Sequence, residues 1–135
     1  MIGGSELYLL DTNIFLEVLL NREYSKVIQD LLNRDTATAF FVSDFSVYSI
    51  GIFLMHRNLP DQFGMFIDDL EIRDIRTVSI SNTELKRIPQ WCKRYDLDFD
   101  DAYQYAVADS YRLTLVSLDH DFDRIPKGRI HPKDI

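Results

Sequence analysis

The chain has 135 residues, 22 of them acidic against 15 Lys and Arg, for a formal charge of −7 with 46% hydrophobic residues. That is the size and composition of one globular domain able to bury a core, and the negative total argues against holding nucleic acid by broad electrostatic attraction. A lone Cys92 excludes an internal disulfide, and neither a signal-peptide pattern nor an apolar run of transmembrane length is present, so a cytoplasmic protein with no membrane association is expected.

In chain order, "ELYLL" from Glu6 reads as a short buried strand that passes at Asp11 into the helical pattern "NIFLEVLL". "EYSKVIQDLLNR" places Val27, Ile28, Leu31 and Leu32 on one helical stripe. "TAFFVS" is a second strand, followed by the helix "DFSVYSIGIFLMHRN" with Ser43 or Asp44 as its cap. Pro60 opens the next helix, "PDQFGMFIDDL", as proline favours the first helical position. "RTVSI" is a third, short strand. "SNTE" at 81–84 has the capping-box pattern for a helix reaching about Tyr95, interrupted or kinked at Pro89. "DFDDAYQYAVADSYR" is a helix with Asp98 as cap, "LTLVSL" a fourth strand, and "RIHPKDI" a candidate short edge strand.

No repeat or Gly/Ser-rich linker divides the chain, so a single domain over 1–135 is expected. Strands alternating with helices imply right-handed crossovers and a parallel sheet covered on both faces. Ligands of such sheets bind beyond the carboxyl ends of the strands. Three segments deliver carboxylates there: Asp11 after the first strand, Asp101 in the first turn of the helix before the fourth, and Asp119, Asp121 and Asp123 just past the fourth. Taken singly, Asp11 fits a helix cap as well as a metal ligand. Asp101 fits a dipole-stabilising position, and "DHDFD" fits a polar turn. Together they fit a site for Mg²⁺ or Mn²⁺, since hard cations favour oxygen ligands and relieve the repulsion among carboxylates.

The charge is unevenly spread. Between Asp96 and Asp123 eight acids meet one base, Arg112, so this segment carries the whole −7 and the rest is balanced. Other motifs fail. "DHDFD" continues with Arg124 and Ile130 where a calcium-binding EF-hand loop needs Gly and Glu. No G-x-x-x-x-G-K or G-x-S-x-G is present, and His56, His120, His131 and Cys92 lack zinc-ligand spacing.

"LLDTNIFLE", "DDAYQYAVA" and "LVSLDHDF" resemble, in order and spacing, the three motifs of PIN-domain nucleases, and the resemblance extends over essentially the whole chain. It implies a three-layer α/β/α fold with a central parallel sheet of four to five strands and a Mg²⁺- or Mn²⁺-dependent ribonuclease acting on RNA. Small members of this kind are often VapC-like toxins, paired with an antitoxin and commonly homodimeric. By the same resemblance Asp11, Asp101 and Asp119 would be the catalytic, metal-binding carboxylates, with Asp121 next to them and Asn13 and Ser117 as polar supports. One departure stands out. The family pattern S-x-x-T-x-x-E after the second strand is here Ser43, Ser46 and Ser49, so Ser49 replaces the expected glutamate. Asp44, Glu17 and Asp121 are candidates to compensate. The departure favours an alternative, a PIN-fold protein without nuclease activity that acts through protein binding.

Overall fold

The computed structural model describes residues 6–34 and 38–135. Strand β1 (Glu6–Leu10) leads through helices α1 (Thr12–Leu19) and α2 (Ser25–Leu32) to β2 (Thr38–Ser43). Helices α3 (Asp44–His56) and α4 (Pro60–Ile72) connect to β3 (Arg76–Val78). Helices α5 (Asn82–Leu85), α6 (Ile88–Tyr95) and α7 (Phe99–Tyr111) precede β4 (Thr114–Val116), and two 3₁₀ turns, His120–Arg124 and Pro132–Asp134, follow.

The strands form one parallel sheet in the order β3-β2-β1-β4. Alternation along each strand divides the core into two layers, because successive side chains leave opposite faces. Tyr8, Leu10, Phe40, Val42 and Val116 pack with Ile14, Phe15, Ile28, Ile50, Leu54 and Phe66 from α1 to α4. Leu9 and Leu115 face the other way, against Ile88, Leu97, Val107 and Phe122. This is the expected three-layer α/β/α arrangement with four strands. The chain leaves β1 toward β2 and later returns on β1's other side as β4, so the direction of winding reverses between β1 and β4. That reversal opens a crevice at the carboxyl ends of the two strands.

Of the four to five strands expected, four form, and the candidate edge segment stays outside the sheet. "RIHPKDI" contributes one parallel bridge, Val116 to Ile130, before Pro132, which has no N–H to extend a ladder, starts a 3₁₀ turn. The helix expected from 81 to 95 divides into α5 and α6. The Ser81–Glu84 capping box opens α5, the break falls at Lys86 and Arg87, and Pro89 lies in the first turn of α6. Asp98 occupies the N-cap position of α7 with extended backbone, but its side chain makes no capping bond.

Candidate metal centre

Asp11 ends β1. Its backbone N–H continues the ladder to Val116 O at 3.0 Å, and its extended φ and ψ turn the chain into α1. It is the cap that the local pattern suggests, with Oδ1 accepting from Thr12 N at 2.8 Å. It also does more than cap. Oδ1 accepts a second bond from Gln104 Nε2 at 2.8 Å, and Oδ2 accepts from Ser117 Oγ at 2.7 Å and Asn13 Nδ2 at 3.3 Å. The carboxylate is thus buried with four donors, all of them neutral. Burial raises its pKa, the bonds from Gln104, Ser117 and Thr12 act against that rise, and the charge of Asp119 adds to it.

Asp101 presents the opposite case. It is the third residue of α7, and among the described residues its carboxylate makes no hydrogen bond or ion pair. Desolvation first, then the charges of Asp100, Asp119, Asp11 and Asp121, push its pKa from the ordinary carboxylate range up to about 7. Asp119 begins the 3₁₀ turn after β4, with Oδ1 accepting from Asp121 N at 2.9 Å and its own N–H bonded to Ser117 Oγ at 2.9 Å. The three acids line one open cleft of about 310 Å³ with Thr12, Asn13, Ser49, Asp100 and Gln104.

The two supports lie where they can act on Asp11. Asn13 donates to Asp11 and to Ser117 Oγ (3.2 Å) while its Oδ1 accepts from Leu118 N, and Ser117 is fully buried. Asp121 is not a cleft-lining residue; it points to Arg124 at 3.4 Å and His120 at 3.9 Å. Ser49 does line the cleft. Two of the residues considered as replacements for the absent glutamate are committed elsewhere. Glu17 is buried and accepts from Tyr24 N at 2.9 Å, and Asp44 accepts from Phe45 N and the Tyr103 hydroxyl. Asp100, at the cleft itself, is the additional carboxylate that the geometry supplies.

The residues present fit a divalent cation by two observations. No Lys or Arg lines the cleft. The acids of the 96–123 segment also sort by place. Asp96 and Asp121 pair with Arg124, Asp109 with Lys127 and Asp123 with Arg129, whereas Asp98, Asp100, Asp101 and Asp119 have no basic partner among the described residues. Three of these four, Asp100, Asp101 and Asp119, line the crevice, where oxygen donors suit Mg²⁺ or Mn²⁺. Two groups bring ligand atoms within 4.8 Å of one another: Asp98, Asp100 and Asp101, and Asp119, His120 and Asp121. Asp11 belongs to neither, so joining all three strand-end segments needs a cation or its waters between them.

A buried polar network behind Asp11 escaped the sequence reading. Ser43 Oγ donates to Gln104 Oε1 at 2.6 Å, Gln104 Nε2 reaches Ser46 Oγ at 2.9 Å, and Ser46 Oγ meets Thr12 Oγ1 at 2.7 Å. Its one sequence signal was a glutamine set among alanines in "DDAYQYAVA", one turn after Asp101.

Residues 8–128 match the PIN domain family. No curated protein matches the chain. Among solved structures, the fold is similar to a chain of a toxin–antitoxin complex from Klebsiella pneumoniae, with a TM-score of 0.71 at 24% identity over 93% of this chain and 97% of that one. It is similar to VapBC2 from Rickettsia felis, bound to a DNA fragment from its promoter, with a TM-score of 0.70 at 16% identity over 91% and 96% of the two chains. The sarcin-ricin loop cleaving toxin VapC20 of Mycobacterium tuberculosis gives a TM-score of 0.69 at 16% identity over 87% and 93%.

Proposed function

The chain belongs to the PIN domain family, and from that premise we propose that it is a divalent-cation-dependent ribonuclease of the VapC toxin type. The observation that carries this reading is the cleft in which Asp11, Asp101, Asp119 and Asp100, from three separate segments, meet with no basic side chain among them. Asp11, Asp101 and Asp119 would hold Mg²⁺ or Mn²⁺. The chemistry a bound divalent cation supplies is neutralisation of charge on a phosphodiester and a lowered pKa for water. The chain's own contribution is placement. Asp11 is fixed by four hydrogen bonds, Asp119 is fixed at the head of its turn, and Asp101 remains free to accept a ligand in place of a proton.

An antitoxin partner is part of the same proposal, supported by the toxin–antitoxin complexes that share the fold. The apolar groove between α1, α2 and α4, lined by Phe15, Val18, Leu19, Leu32, Met65 and Phe66, is suited to an apolar segment of such a partner. For the homodimer, the support is the outer face of α3, where Tyr48, Ile52 and Met55 stand exposed on one stripe.

The second reading, a non-cleaving PIN domain that works by binding protein, is favoured by one feature: a neutral Ser49 lines the cleft where the family pattern has glutamate. RNA cleavage by the purified protein with Mg²⁺, with Mn²⁺ and with chelator, beside Asp11→Asn, Asp101→Asn and Ser49→Glu variants, separates the two. The nuclease reading expects metal-dependent cleavage lost in both Asn variants. Cleavage that survives both substitutions overturns the site, and an inert native protein whose Ser49→Glu variant cleaves favours the second reading.

A further inference from the structure

Gln104 is 1% exposed, and every polar atom of its side chain is engaged. Its orientation is dictated from the Asp11 side. An ionised Asp11 can only accept, so Nε2 must face it, which leaves Oε1 to accept from Ser43 Oγ at 2.6 Å on the other side. Reversing the amide would set Oε1 against the Asp11 carboxylate. The two protons of Nε2 are then both assigned, one to Asp11 Oδ1 and one to Ser46 Oγ.

We infer that Gln104 is the positioning residue for Asp11, holding Oδ1 against α7 and α3 so that Oδ2 is the oxygen Asp11 offers a cation. The inference rests on the metal-dependent reading above and extends it to a residue that has no part in the acidic set. Two features support it. The bonds on Oδ1, from a main-chain N–H and from an amide locked at its far end, are both 2.8 Å. Oδ2 keeps a 2.7 Å bond from Ser117 Oγ, while its second bond, from Asn13, is 3.3 Å and is the contact a ligand displaces at least cost. The second feature is charge. A lysine or arginine in place of Gln104 would satisfy Asp11 by neutralising it and would repel a cation. An amide satisfies the carboxylate by its dipole and leaves the negative charge in place. Gln104 also joins Asp11 to α3 through Ser43 and Ser46, so the serine-rich start of that helix acts on the site through a hydrogen-bond relay rather than by ligation.

The test compares the native protein with Gln104→Met, which keeps length and bulk without a donor. Mn²⁺ affinity is measured by electron paramagnetic resonance and calorimetry, and metal-free crystals report the Asp11 rotamer. The expected result is a fall in Mn²⁺ affinity of roughly 10–100-fold, the usual scale for losing a group that orients a ligand, with Asp11 turned about its Cβ–Cγ bond. Native affinity with an unmoved Asp11 overturns the inference. If Gln104→Met does not fold, Ser43→Ala, which unlocks the amide without removing it, must lower Mn²⁺ affinity in the same direction; unchanged affinity there overturns the inference equally. If the native protein binds no Mn²⁺, the metal-dependent reading fails by itself, and the Asp11 rotamer in the variant still decides the role of Gln104.

Discussion

Asp11 and Asp101 bring the same side chain to the same cleft under opposite circumstances, and the same substitution acts on them in opposite directions. Asp11 accepts four bonds, and an asparagine there turns an NH₂ toward groups that are themselves donors. The metal-free Asp11→Asn protein is expected to be less stable by about 1–3 kcal/mol, the cost of buried donors left without acceptors. Asp101 accepts none, and its substitution removes a desolvated charge together with the repulsion from its neighbours, so Asp101→Asn is expected to melt above the native protein in chelator at neutral pH. The pH dependence follows from the raised pKa. Between about 4 and about 7 the folded chain keeps a proton on Asp101 that the unfolded chain has lost, so the contribution is fully present below pH 4 and is lost as pH rises to about 7. Melting curves in chelator from pH 4.5 to 8 should therefore diverge, the native protein losing stability relative to Asp101→Asn as pH rises. Parallel curves would remove the claim that burial and neighbouring charges raise the Asp101 pKa.

At the scale of elements, α3 and α4 approach closely at Gly51. A Cβ on Gly51 would stand 3.1 Å from the Phe63 ring, whereas Gly64, on the exposed side of α4, has open space around it. Helix interiors favour alanine over glycine by about 1 kcal/mol. Gly64→Ala should gain nearly that amount in denaturant unfolding, and Gly51→Ala should gain less or lose stability because the Phe63 ring must shift. Equal gains would mean that α3 and α4 do not depend on the small residue. These elements were readable because their signals are local: β1 and β2 were expected at their observed limits, and Ser43 caps α3 by accepting from Ser46 N at 3.1 Å. The optional edge strand stops at a single bridge because a proline ends the pairing. The network of Gln104 was not legible, since its partners lie 58, 61 and 93 positions away and only the packing of α7 on the sheet brings them together. For the same reason Asp44 and Glu17, plausible compensators by sequence position, are spent on Tyr103 and Tyr24.

For the molecule as a whole, the α3 stretch "SVYSIGIFLM" divides between inside and outside. Ile50 and Leu54 are fully buried in the core, while Tyr48, Ile52 and Met55 are each more than half exposed, at 66%, 59% and 58%. The inward residues explain the fold, and the outward ones stay more than half exposed among the described residues. Their spacing of four and three places them on a single stripe of the helix. A second copy of the chain meeting this stripe about a two-fold axis would bury it against itself, as a symmetric dimer requires. Ile52→Glu tests the proposed dimer without disturbing the core, because a charge on an exposed helical position changes folding stability by no more than about 0.5 kcal/mol in either direction. If α3 is the interface, sedimentation should find a dimer for the native chain and a monomer for Ile52→Glu, with both giving the same circular dichroism. A native monomer, or an Ile52→Glu protein that remains dimeric, would release α3 from this role. The site makes a separate forecast for the same variant: the cleft lies at the carboxyl ends of β1 and β4 and is built from one chain's residues, so the monomer should retain the native affinity for Mn²⁺.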